Sequence, residues 1–211
     1  MLGSIKGLIF DCDGTLVDSA PVYAKAWGAG FAVSGAAMAD DWYHNHLGLS
    51  EHVLMQSFED ASGLTLDRSA TIATMREAFL AKLTVLREIA AVADAARAAK
   101  GIMPLAVASG GPRAIVEPSL RHTGLADLFS AIVTLDDVEA PKPQPDLFLE
   151  AARRLELEPA ACLVLEDSII GFKAAEAAGM RWLDVREGEQ VKTLLLDLTQ
   201  AKESKQAAKR E

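Results

Sequence analysis

From Met103 onward, short apolar runs alternate with amphipathic stretches, joined by connections of only a few residues. Met103–Ala108, Ala131–Leu135, Ala161–Leu165 and Arg181–Val185 read as strands, with Pro112–Thr123, Pro145–Leu155 and Ser168–Ala178 as the helices between them. Few folds satisfy such strict alternation. Parallel neighbours need a crossover, crossover helices cover both faces of the sheet, and strands so buried read as continuous apolar runs. Lys6–Phe10 is one more run of this kind. The expectation is an α/β chain with a doubly wound, Rossmann-like parallel sheet.

Between the first strand and the alternating region the pattern changes. Pro21 to about Leu86 carries helical spacing (Val22, Tyr23, Ala26, Trp27; Val53, Leu54, Phe58; Ile72, Met75, Phe79, Leu83), broken by glycines at 28, 30, 35, 48 and 63. This predicts a small all-helical domain inserted after the first strand. Residues 1–17 and 86–200 would form the core, 18–85 the insert, and 201–211 a C-terminal tail. Leu86–Lys100 reads as an alanine-rich helix stopped by Gly101. Gln200–Glu211 has no apolar stripe and reads as a frayed helix or a disordered tail.

Sheets of this type bind ligands beyond the carboxyl ends of their strands. Polar residues just after each strand should therefore converge. They are Asp11 and Asp13 after the first, Ser109-Gly110-Gly111 after the second, Lys142-Pro143-Gln144-Pro145 after the third, and Glu166-Asp167-Ser168 after the fourth. Buried carboxylates at strand tips need a cation or a proton beside them. Mg²⁺, a hard ion preferring oxygen, suits Asp11, Asp167, Glu166 and the backbone carbonyl of Asp13, with Asp167 the direct ligand of the second acidic pair. Against a phosphate monoester, Asp11 can attack phosphorus and Asp13 can serve as acid and then base. Ser109 and the Gly110 amide can hold phosphoryl oxygens while Lys142 neutralises charge.

The formal net charge of −9 argues against nucleic acid as a partner, since an acidic surface repels phosphate backbones. Two cysteines, Cys12 and Cys162, each in or beside an apolar strand, point to a reducing compartment. No apolar run approaches the length of a membrane span, and no leader-like segment is evident. The reading is a cytoplasmic monomer acting on a small phosphoester, with neither membrane nor nucleic acid as partner.

The motifs Asp11-Cys12-Asp13-Gly14-Thr15-Leu16-Val17-Asp18-Ser19, Val107-Ala108-Ser109-Gly110, Lys142-Pro143-Gln144-Pro145-Asp146-Leu147-Phe148 and Leu165-Glu166-Asp167-Ser168 with Gly171 resemble, in order and spacing, those of haloacid dehalogenase-like phosphohydrolases. The β-phosphoglucomutase-like group, with a helical cap, is the nearest in pattern. The resemblance implies Asp11 as nucleophile, Asp13 as acid/base, Ser109 and Lys142 as phosphoryl binders, an Mg²⁺ site at Asp167 and Glu166, and sugar phosphates as substrates. It also implies that the loop through Asn45, His46 and Ser50 leans over the substrate; Arg113 could reach a second anionic group. The group contains phosphatases and sugar phosphomutases. Tyr23 stands where the mutases carry a histidine, and the loop Gly48-Leu49-Ser50-Glu51-His52 puts no arginine where they hold a second phosphate, a group that Glu51 would repel; both departures favour hydrolysis. A phospho-acceptor signalling module and a dehalogenase are the rivals, but neither needs Asp13 as an acid/base, the signalling module needs no cap, and the dehalogenase needs no Mg²⁺ site.

Overall fold

The computed structural model describes residues 2–207. The chain opens with β1 (Gly7–Phe10) and the two-residue β2 (Val17–Asp18), then passes into four consecutive helices, α1 (Ala20–Ala32), α2 (Asp40–His44), α3 (Glu51–Ser62) and α4 (Arg68–Leu80). It returns through β3 (Arg87–Glu88) and α5 (Ala90–Ala99). There follow β4 (Leu105–Ala108), α6 (Arg113–His122), β5 (Ala131–Val133), α7 (Asp146–Arg154), β6 (Cys162–Glu166), α8 (Ile169–Ala177), β7 (Arg181–Asp184) and α9 (Gly188–Ala207).

Five strands form one sheet in the order β5-β4-β1-β6-β7, every neighbouring pair parallel. β1 lies at its centre, with Leu8 opposite Leu105 on one side and Leu163 on the other. Alternation along the strands sends side chains to two separate cores. Leu8, Phe10, Leu105, Val107, Leu163 and Leu165 join α5, α6 and α9 on one face; Ile9, Ala106, Ala108 and Val164 join α7 and α8 on the other. The sheet is doubly wound, as its sequence pattern requires.

The four helices after β2 are the all-helical insert. Their own core is aromatic: Phe31 stacks on Phe58 with centroids 4.0 Å apart, and Trp42 meets both rings edge-on. Gly30 lets α1 and α4 touch, because a Cβ there would stand 2.7 Å from the Thr71 carbonyl oxygen. At the base of the insert the two crossing segments pair antiparallel, Val17 with Glu88 and Asp18 with Arg87. This pairing, and the Ile89 amide donating to the Leu16 carbonyl, delay α5 to Ala90, four residues later than its sequence suggests.

At the C-terminal end α9 continues unbroken past residue 200 to Ala207, and Lys205 Nζ donates to the Gly101 carbonyl, 2.8 Å away. Residues 208–211 of the expected tail lie outside the described residues. Among the described residues no helix is long and apolar enough to cross a membrane.

Candidate active site

Apolar β1 runs buried through the sheet centre and ends at Asp11, itself 6% exposed. Three backbone hydrogen bonds hold the loop beyond it: the Leu16 and Val17 amides donate to the Cys12 carbonyl, and the Gly14 amide to that of Val17. Gly14 has φ +84°, and a Cβ on it would overlap the Asp167 carboxylate, so the position needs glycine twice over. Thr15 Oγ1 donates to Asp167 Oδ1 at 3.1 Å, tying the tips of β1 and β6 together.

Lys142 reaches this edge from the loop after β5. Its Nζ donates to Asp11 Oδ1 at 2.6 Å and to Glu166 Oε2 at 2.7 Å, and its side chain is 6% exposed. The other Glu166 oxygen accepts from the Asp167 amide (3.1 Å), the Ser168 amide (3.0 Å) and Ser168 Oγ (2.8 Å). Glu166 thus spends its acceptors on Lys142 and the start of α8. Ser168 also caps that helix, accepting from the Gly171 amide.

The electrostatics follow from crowding. Burial, then Glu166 and Asp167, push Asp11 well above the ordinary aspartate value, with Lys142 opposing. Burial and Glu166 likewise raise Asp167 to about 7. Burial alone would raise Glu166, but Lys142 and the Ser168 donors outweigh it and hold it below its usual value. Burial alone would lower Lys142; Asp11 and Glu166 overcome that and keep it charged. Burial raises Asp13, against the pull of Ser19, Lys142 and Ser109. Cys12 is buried and pushed up by burial and by Asp13 and Asp11, so it stays a thiol.

Asp11, Glu166 and Asp167 each offer a carboxylate oxygen within 4.8 Å of one another. Asp13 Oδ1 is buried without a hydrogen-bond partner. An all-oxygen donor set with more negative charge than Lys142 can balance suits a hard divalent cation, so the residues fit Mg²⁺.

Over this edge sits a cavity of about 420 Å³, bounded on its other side by the helical insert. Asp11, Asp13, Ser109, Gly110, Lys142, Glu166 and Asp167 line its floor, all from strand tips or the loops that follow them at the carboxyl edge of the sheet. Tyr23, Trp27 and Tyr43 form an aromatic wall, and Leu47–Glu51 the lip. Ser50 also lines the cavity.

Three other expected contacts are placed elsewhere. Asn45 Nδ2 donates back to the Asp41 carbonyl and faces solvent. His46 stacks on Trp42 at 3.9 Å and its Nδ1 donates to the Trp42 carbonyl, because the helical turn α2 points it at its own i−4 neighbour. Arg113 is captured by Glu117 (2.6 Å) and by Asp137, so its guanidinium serves the α6 surface instead of the cavity. Sequence reasoning also missed Arg186, which lines the rim just beyond β7. Asp184 grips its Nε and Nη2 in a fork, and the guanidinium lies 5.4 Å from the Phe172 ring centre. The strand-tip rule, carried to the last strand, would have included it.

Comparison with known proteins places this geometry among relatives. The fructose-1-phosphate phosphatase YqaB of Escherichia coli is 36% identical over 85% of this chain and 96% of its own. The phosphorylated carbohydrates phosphatase of Thermotoga maritima is 28% identical over 83% and 82%. Among solved structures, a variant of CbbY from Rhodobacter sphaeroides in complex with xylulose-(1,5)bisphosphate superimposes with a TM-score of 0.77 at 26% identity, covering 84% of each chain. The family model for haloacid dehalogenase-like hydrolases matches residues 5–179, most of the chain, and the protein belongs to that family of enzymes.

Proposed function

We propose that this hydrolase is a Mg²⁺-dependent phosphatase that cleaves a small sugar phosphate through a phospho-aspartyl intermediate. The observation that carries the reading is the strand-tip constellation, with buried Lys142 bridging Asp11 and Glu166 beside a buried, partnerless Asp13 oxygen. Asp11 attacks phosphorus in line; the P–O bond to the sugar breaks and the leaving oxygen takes its proton from Asp13. Burial, which raises Asp13, favours its carrying that proton. Asp13, now a base, takes a proton from water, which attacks phosphorus, frees phosphate and restores Asp11. Ser109 and the Gly110 amide receive phosphoryl oxygens, and Lys142 offsets their charge. Asp11, Asp167 and the Asp13 carbonyl would hold Mg²⁺, with Glu166 behind them; the ion, when bound, offsets negative charge on the transferring group.

Water as acceptor is supported by the wall. Burial, with Asp13 adding to it, pushes the Tyr23 phenol well above its ordinary range, so it stays neutral and cannot supply an imidazolium's charge near Asp13. The sugar reading is supported by the named substrates of the phosphatase relatives. A phosphate-release screen over sugar phosphates, nucleotides, phosphoglycolate and phosphonates tests it. Sugar phosphates should be cleaved best, and only with Mg²⁺ present. Full rates in chelator, or release from none of the esters, would overturn it.

A further inference from the structure

An anionic substrate entering this cavity meets a carboxylate on the insert side. Glu51, the first residue of α3, lines the cavity and is 8% exposed. Arg76 of α4 grips it from behind, Nε to Oε1 at 3.0 Å and Nη2 to Oε2 at 2.7 Å. Among the described residues Glu51 lines the cavity and Arg76 does not. The rest of that wall is aromatic, apolar or hydroxylic, and the insert contributes no cation to it. The two lining cations belong to the core and are both engaged, Lys142 by Asp11 and Glu166, Arg186 by Asp184.

We infer that Glu51, clamped by Arg76, selects the leaving group: it accepts hydrogen bonds from a pair of hydroxyls and turns away esters with a second phosphate at that end. This rests on the phosphatase reading above and names the substrate class within it. A carboxylate has about four lone-pair sites and only accepts. Arg76 occupies one on each oxygen, which leaves one on each for a diol. A second phosphate, also rich in acceptors and negatively charged, has no hydrogen to share with Glu51 and is repelled by it. The clamp fixes the rotamer, so Glu51 cannot swing aside to admit it.

The test compares kcat/KM for fructose 1-phosphate, fructose 1,6-bisphosphate and p-nitrophenyl phosphate in the wild type, Glu51→Gln, Glu51→Ala and Glu51→Ala/Arg76→Ala. Thermal melting establishes that each variant is folded, and Glu51→Gln keeps the side-chain shape if the alanine variant is not. Wild type should favour the monophosphate over the bisphosphate by about tenfold or more. Glu51→Ala uncovers Arg76 and should raise bisphosphate efficiency about tenfold, mainly through KM, while monophosphate efficiency falls by a similar factor. Glu51→Gln should move the ratio the same way, and the double variant should lose the bisphosphate gain. A ratio unmoved in folded Glu51→Gln and Glu51→Ala, or wild-type turnover of p-nitrophenyl phosphate alone, overturns the selection and leaves the phosphatase reading standing. Release from none of the three esters by wild type overturns both.

Discussion

Two glycines mark where carboxylates come too close for any side chain. Gly14 yields its space to Asp167; at Gly171, on the first turn of α8, a Cβ would fall on the Glu166 carboxyl. Gly171 therefore sets how deeply Glu166 can sit, and Glu166 sets where Lys142 meets Asp11. Gly171→Ala should destabilise the protein by about 1–3 kcal/mol, the usual cost of overfilling a packed site, and should slow phosphate release by displacing Lys142. Urea denaturation and steady-state assays would check this; an unchanged midpoint and rate would show that Glu166 has room to spare. The glycines, acids and lysine were legible in the sequence because turns and strand tips restrict residue type. Arg76 and Glu51 were not legible as a pair, since 25 positions separate them and only the tertiary fold of the insert joins them.

Among the elements, the loop from β5 to α7 is anchored on Asp137. Its carboxylate accepts from the Thr134 amide (2.8 Å) and hydroxyl (3.0 Å), from Arg154 Nη2 on α7 (2.8 Å), and from Arg113 on α6. One acid thus ties two helices to the end of a strand. Burial alone would raise its pKa, but the Arg154 and Thr134 bonds outweigh that and hold it at about 2. A lowered folded-state pKa contributes stability that is complete above the unfolded value of roughly 3.9 and is lost as pH falls toward the folded one. The stability advantage of wild type over Asp137→Asn should thus be full at pH 6 and shrink steadily below pH 4. Denaturation series at several pH values would show it, and an advantage that grew on acidification would contradict the network. This capping box also explains why β5 stops at Val133, short of the Leu135 its apolar run suggests. Likewise the late start of α5 comes from pairing with Val17–Asp18, some seventy residues away, which no local pattern can reveal.

At the scale of the molecule, the helical insert rests on the sheet edge across a narrow seam. Gly48, at φ +83°, brings the lip within 3.4 Å of Ser168 and Ile170, measured from its Cβ position, and α4 packs against α6. The cavity is consequently shared: the core supplies its acidic floor with Lys142, and the insert supplies its aromatic wall and lip. The division was legible from the change of period between Pro21 and Leu86. The aim of the insert's side chains was not, which is why Asn45 and His46 read as substrate contacts while Glu51 read only as a repelling charge. The proposed reaction depends on Asp11 becoming phosphorylated. The direct measurement is acid quenching of the enzyme during turnover of a phosphate-labelled sugar ester, followed by peptide mapping. Label should appear on the peptide containing Asp11, be released by hydroxylamine as an acyl phosphate is, and be missing in Asp11→Asn. Product formed at the normal rate with no label on that peptide would contradict the account.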